Sequence, residues 1–149
     1  MRFWDSSVIV PLIAREKSSA ACLELLRHSP YDMVVWWGSV LECVSSVCRK
    51  EREGSLSAEQ SATAISRLKQ LAESWTEVEP VEKVRKIAAR LLRVHPIRAA
   101  DALQLSAAWQ ICGDEPSIVE FLTADGRLYE AAAREGFQAR RIGAAPPRD

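Results

Sequence analysis

Short unbroken apolar runs alternate along this chain with longer stretches whose apolar positions recur every three or four residues. The first pattern suits buried strands and the second amphipathic helices. Residues 2–4 predict a strand and roughly 7–14 a helix, where Pro11 is tolerable because first-turn donors have no intrahelical partner. A second helix is expected over about 18–28, stopped by Ser29-Pro30. Met33-Val-Val-Trp-Trp37 is a continuous apolar run of the kind a buried parallel strand shows. Ser39 with Glu42, and Ser57 with Gln60, have capping-box spacing and open helices to about Glu53 and Ser74. Trp75 to Glu79 predicts a strand, Pro80 the first position of a helix to about Val94, and His95-Pro96 a break before an Ala- and Leu-rich helix over 98–111. Beyond the loop Gly113–Ser117 come a strand over 118–123, a helix over 126–135 stopped by Gly136, and a last strand over 137–142.

Strands alternating with helices specify an α/β fold, a three-layer α/β/α sandwich around a central, mostly parallel sheet. One domain is expected over residues 1–142, with 143–149 as a loose tail and no internal repeat or linker. A length of 149 residues and 48% hydrophobic content suit a single well-packed core rather than disorder. Twenty basic and twenty acidic residues cancel, which excludes a broad basic field for indiscriminate nucleic-acid binding while allowing a local basic rim. Cys22, Cys43, Cys48 and Cys112 are scattered, and with only two histidines they give no zinc-site spacing, so they read as reduced thiols. Asp5 interrupts the only early apolar run, which leaves no signal-peptide pattern, and no stretch approaches the ~20 apolar residues of a membrane span. A cytoplasmic protein with no membrane contact is expected.

Four acidic residues change this picture. They are Asp5 after Met-Arg-Phe-Trp, Glu42 in Gly38-Ser-Val-Leu-Glu, Asp101 in Ile97-Arg-Ala-Ala-Asp-Ala-Leu, and Asp125 in Phe121-Leu-Thr-Ala-Asp. In open parallel sheets, ligands bind outside the carboxyl ends of the strands. Asp5 and Asp125 each follow a predicted strand and precede a helix, Glu42 lies one turn past a strand, and Asp101 sits in the first turn of an apolar helix. Each also has a plainer reading: Asp5 and Asp125 as N-caps, Glu42 as the partner of Ser39, Asp101 on a solvated helix face. If they converge, each pair at ~4 Å and an effective dielectric of ~20 repels by about 4 kcal/mol, which calls for a cation. Hard divalent ions such as Mg²⁺ or Mn²⁺ favour such oxygen ligands.

Taken together, these segments resemble the PIN-domain nucleases, and most closely the VapC-type toxins of bacterial toxin–antitoxin pairs, over essentially the whole chain. Asp5-Ser6-Ser7 is similar to the family's opening Asp-x-Ser, and Ser39-x-x-Glu42 stands where its acidic residue falls early in the third helix. Arg98-Ala-Ala-Asp101-Ala-Leu-Gln-Leu-Ser-Ala-Ala resembles its Arg-x-x-Asp-Ala helix, and Thr123-Ala-Asp125-Gly-Arg-Leu-Tyr its closing motif. The tandem Trp36-Trp37 and Pro11 depart from the family pattern without touching a candidate ligand. The resemblance implies that Asp5, Asp101 and Asp125 bind Mg²⁺ or Mn²⁺ directly and Glu42 through water or a second ion. Ser7 and Thr123 would orient carboxylates or water, and Arg98 would meet the backbone of an RNA substrate, with Arg15, Lys17 and Arg127 as further candidates. It also implies phosphodiester hydrolysis, a homodimer and a cognate antitoxin. Trp36, Trp37 and Trp109 read as packing residues or as base-stacking ones.

Two rivals share parts of the pattern. A haloacid-dehalogenase-like phosphatase needs a second Asp where Ser7 stands, and a nicotinamide-binding fold needs a Gly-x-Gly-x-x-Gly loop that is missing. The remaining alternative is a PIN-like module that binds RNA or protein without cutting.

Overall fold

Alternation along three short strands builds the layers of this protein. The computed structural model describes residues 1–143, so the expected tail, beyond Gly143, lies outside the described residues. Strands β1 (Arg2–Trp4), β2 (Met33–Trp36), β3 (Thr76–Val78), β4 (Glu120–Thr123) and β5 (Gln138–Arg141) form one sheet in the order β3-β2-β1-β4-β5, and every pairing is parallel. Successive side chains on a strand point to opposite faces. Phe3, Val34 and Phe121 therefore enter one core, while Trp4, Val35 and Leu122 enter the other.

Helices α1 (Ser6–Ile13), α2 (Ser19–His28), α3 (Ser39–Arg52) and α4 (Ala58–Ala72) cover the Trp4 face through Val8, Ile9, Ile13, Val47 and Leu68. Helices α5 (Glu82–Val94), α6 (Ala99–Ile111) and α7 (Gly126–Arg134) cover the Phe3 face through Val84, Leu91, Leu105 and Leu128. Phe3 and Phe121 stack there with ring centroids 5.3 Å apart. This is the expected three-layer α/β/α sandwich, and its sheet is wholly parallel. Among the described residues no helix is long and apolar enough to cross a membrane.

Several local expectations are corrected. Pro11 lies past the first turn of α1, so the helix forgoes an interior hydrogen bond there and runs only to Ile13. Ser39 and Glu42 do not form a capping box, because Glu42 is engaged by side chains distant in sequence. The Ser57–Gln60 box does form, with bonds of 2.9 and 3.1 Å. Pro80 precedes α5 rather than opening it, since Val81 is the N-cap. Residues Pro116–Ile118 take a 3₁₀ turn, which delays β4 to Glu120. Gly136 stops α7 with φ 96°, the left-handed conformation glycine adopts freely.

One polar tie joins α5, α6 and α7 on the Phe3 face. Glu135 accepts from His95 Nε2 at 2.6 Å, from Arg90 at 3.0 and 3.2 Å, and from Trp109 Nε1 at 3.1 Å. Burial would raise its pKa, but the bonds and charges of Arg90 and His95 outweigh that and hold the carboxyl below its ordinary value. Truncation by Glu135→Ala strands buried donors and is expected to cost about 3 kcal/mol in urea unfolding. Glu82→Ala, which removes an exposed pair with Arg85, is expected to stay within about 0.5 kcal/mol.

Candidate active site

Asp5 follows β1 directly, its amide bonded to the carbonyl of Leu122 at 3.0 Å, and its side chain is only 4% exposed. Ser7 and Thr123 both donate to Oδ2 of Asp5, the latter at 2.9 Å. The same Ser7 hydroxyl accepts from the amide of Ala124 at 2.9 Å, and Thr123 Oγ1 accepts from the amide of Asp125 at 3.0 Å. These bonds sew the end of β1 to the end of β4.

Asp125 N-caps α7, accepting from the Leu128 amide on Oδ1 at 2.8 Å. Asp101 takes the Arg98 amide on Oδ2 at 3.3 Å at the start of α6. Glu42, in the first turn of α3, takes Ser6 Oγ at 2.5 Å and Gln104 Nε2 at 2.9 Å, both on Oε2. Among the described residues, each of the four carboxylates thus has one oxygen tied to the fold and a second oxygen with no hydrogen bond. The capping reading of Asp125 is true of one oxygen, and Asp101, read as a member of a solvated helix face, is half-buried and tied by one oxygen to the start of its helix. Asp5 makes no side-chain capping bond.

The four lie near the carboxyl end of the sheet, with Glu42 and Asp101 close enough for their charges to act on Asp5 and Asp125 close enough to act on Asp101, a succession that can be called a row. Burial pushes the Asp5 pKa up to about 6, the Ser7 and Thr123 bonds oppose this, and the charges of Glu42 and Asp101 add to it. Asp101 is also raised, by burial first, against the Arg98 amide and with the charge of Asp125 adding. The thiol of Cys43, buried behind Glu42 and Asp5, is pushed up to about 12 by burial and their negative field. Among the described residues no three acidic, histidine or cysteine side chains form a ready-made metal cage. The donor chemistry nevertheless suits Mg²⁺ or Mn²⁺: it is all oxygen, each carboxylate keeps one oxygen free of hydrogen bonds among the described residues, and such ions keep much of their water shell.

Two clefts flank the row. One of about 930 Å³ lies on the Glu42 side, lined by Ser6, Ser7, Trp36, Trp37, Leu41 and Arg49 among others. Trp37 and Leu41 are 53% and 74% exposed there, whereas Trp36 and Trp109 pack into or against the core. The other, of about 720 Å³, lies on the Asp125 side with Arg98, Asp101, Arg127 and Arg141. Arg15 stands apart, at a small hollow beside α4. Sequence reasoning missed Ser6, Gln104 and Arg141. A polar Gln104 three residues after Asp101, inside an apolar helix, was the available signal, since that spacing shares a helix face.

The family model for the PIN domain matches residues 2–134. The chain matches no curated protein in sequence. In structure it is similar to FitAcB from Neisseria gonorrhoeae, at 20% identity and TM-score 0.63, over 93% of this chain and 96% of that one. It is likewise similar to PAE2754 from Pyrobaculum aerophilum (18%, TM-score 0.60, 87% and 84% covered). A third likeness is to VapBC-1 from nontypeable Haemophilus influenzae (18%, TM-score 0.60, 94% and 96% covered). Likeness at such identities establishes the fold.

The buried Asp5 has a consequence for stability. Its carboxyl rises from 3.8 to about 6 on folding, so the folded chain holds a proton that the unfolded chain releases between those values. Stability from this group therefore falls as pH rises through that window, by about 3 kcal/mol in all. Metal-free wild type is expected to lose stability between pH 4 and 7 relative to Asp5→Asn. Parallel stability–pH curves for the two proteins would refute this.

Proposed function

The chain belongs to the PIN-domain family, whose members are in general nucleases, and from that premise we propose that it is a Mg²⁺- or Mn²⁺-dependent endoribonuclease acting as the toxin of a toxin–antitoxin pair. The observation that carries this reading is the row of four carboxylates, each with one oxygen held by the fold and one left over. A purely structural acid gains by satisfying both oxygens, and four like charges beside one another gain nothing for the fold. The motif resemblance to VapC-type toxins supports the finer assignment.

Asp5, Asp101 and Asp125 would hold the metal, with Glu42 acting through water or a second ion. A bound divalent ion supplies Lewis acidity at a phosphoryl oxygen and lowers the pKa of an attacking water. Ser7 and Thr123 fix the rotamer of Asp5, and Gln104 and Ser6 fix that of Glu42, so neither carboxylate swings when charge arrives. Arg98, at the start of α6 beside Asp101, would hold a non-bridging phosphate oxygen in place for in-line attack. The antitoxin would reach the same rim, its apolar side chains on Trp37 and Leu41 and an arginine on the carboxylates by charge-assisted bonds. The active protein would be a homodimer in the cytoplasm.

Two experiments test this. Inducing the chain in cells should create new RNA 5′ ends, and Asp101→Asn should abolish them, with cleavage by the purified variant down at least about a hundredfold while it stays folded. Wild-type cleavage by that variant at saturating Mg²⁺ removes Asp101 from the metal site, and RNA binding without cleavage by the wild type favours the non-cutting module. Raising Mg²⁺ at fixed ionic strength should also weaken antitoxin binding. Affinity indifferent to Mg²⁺ under matched monovalent salt rules out an antitoxin that occupies the acidic row.

A further inference from the structure

We propose that Arg98, Arg127 and Arg141 form a phosphate-binding subsite for the RNA backbone on the Asp125 side of the acidic row. The inference rests on the ribonuclease reading above and extends the backbone grip it gives Arg98 to Arg127 and Arg141, which would hold the next phosphate along the strand. The three arginines, with Asp101, Asp125, Gly126 and Glu130, line the cleft of about 720 Å³. They arrive from three separate elements: Arg98 is the N-cap of α6, Arg127 stands in the first turn of α7, and Arg141 ends β5.

Arg141 is the least expected member, and the sheet explains its position. Its partner in register on β4 is Thr123, whose hydroxyl holds Asp5. Strand alternation turns Arg140 to the opposite face, where it reaches Glu120 at 3.4 Å beside Arg2. Arg141 instead lays its guanidinium over Gly126, at the start of α7. A β-carbon on residue 126 would stand 3.2 Å from Cζ of Arg141, so glycine leaves the room this close approach uses.

Arg2 closes on Glu120 at 2.7 Å and Arg90 on Glu135 at 3.0 Å, whereas other surface arginines among the described residues stand without a carboxylate, so what marks the cleft is that three of them share it. Arg98, Arg127 and Arg141 have no carboxylate within 4 Å among the described residues, although Asp101, Asp125 and Glu130 share their cleft. Cations gathered beside one another and beside the positive end of a helix repel, and an anion seated between them relieves that. A guanidinium fork matches two phosphate oxygens at once, which makes a phosphodiester the fitting anion. With a divalent ion on Asp101 and Asp125, the cleft's formal balance of three positive and three negative groups becomes an excess of positive charge. Such contacts position the strand without reading its sequence.

The test measures binding rather than cutting. Asp5→Asn protein is titrated in Mg²⁺ against a fluorescein-labelled single-stranded RNA of mixed sequence, by fluorescence anisotropy over a range of KCl. Adding Arg141→Ala to this parent is expected to weaken binding about tenfold. The log–log salt slope should shrink by about 0.7, the value for one lost phosphate contact on a single strand. Arg141→Lys should keep the slope and recover part of the affinity, and Arg140→Ala, tied to Glu120, should change neither. Equal losses from Arg140→Ala and Arg141→Ala, or an unchanged slope in Arg141→Ala, overturn the subsite and leave the ribonuclease reading standing. A parent that binds no RNA overturns the subsite, and the cleavage assay on the wild type decides the ribonuclease reading separately. Arg141 is exposed on the rim, and circular dichroism of each variant shows that the comparison is between folded proteins.

Discussion

Placing four carboxylates side by side at the end of a largely apolar sheet is the constraint on which the rest of this structure depends. Asp5 is the hardest to accommodate, since it is buried between β1 and β4 with two acidic neighbours. Ordinary desolvation would protonate it or push it outward. Two hydroxyls on one of its oxygens limit that cost, and those hydroxyls are fixed in turn by the Ala124 and Asp125 amides. The bonds that make Asp5 tolerable are therefore also the bonds that set the distance between β1 and β4 at the rim. Ser6 and Gln104 do the same for Glu42, locking α1 and α6 to α3. Site and scaffold share the same hydrogen bonds.

Much of this was legible in the sequence. Among the described residues, the strands and α-helices lie within a few residues of where the sequence pattern placed them, most of them because they are amphipathic or buried outright. Strand-then-acid at Asp5 and Asp125 placed both on one rim through topology alone. What failed was local chemistry read as local structure. Ser39 and Glu42 have the spacing of a capping box, yet Glu42 is taken by Ser6 and Gln104, which lie 36 and 62 residues away in sequence. Pro80 had the right character for a helix start but the chain entered α5 at Val81. Arg141 carried no motif, and only the register of β5 against β4 gives it meaning.

The row also divides its surroundings. On the Glu42 side the cleft is walled by Trp37 and Leu41, and on the Asp125 side by arginines. A polynucleotide offers both an apolar face on its bases and a charged backbone, so a single strand crossing the row would meet the matching chemistry on each side. A peptide could use the same division, with apolar side chains on the first wall and a basic residue on the row itself. Substrate and inhibitor would then compete for one rim while relying on different parts of it.

Without a cation this arrangement is a liability. A buried carboxylate with a pKa near 6 is half ready to take up a proton, and burial, with the charges of Glu42 and Asp5 adding, pushes Cys43 up to about 12. Replacing any member of the row by its amide would relieve repulsion, so the fold by itself favours losing these acids. Elsewhere the chain meets a buried acid with its own cations, as at Glu135, and under the proposed function the cation for these acids comes from outside. A metal ion or a partner's guanidinium would each serve. Both bring positive charge to the acids, two units against one, and they differ in chemical effect, because only the metal can activate water. Under the proposed function, control would need no change of shape, only an exchange of one cation for another.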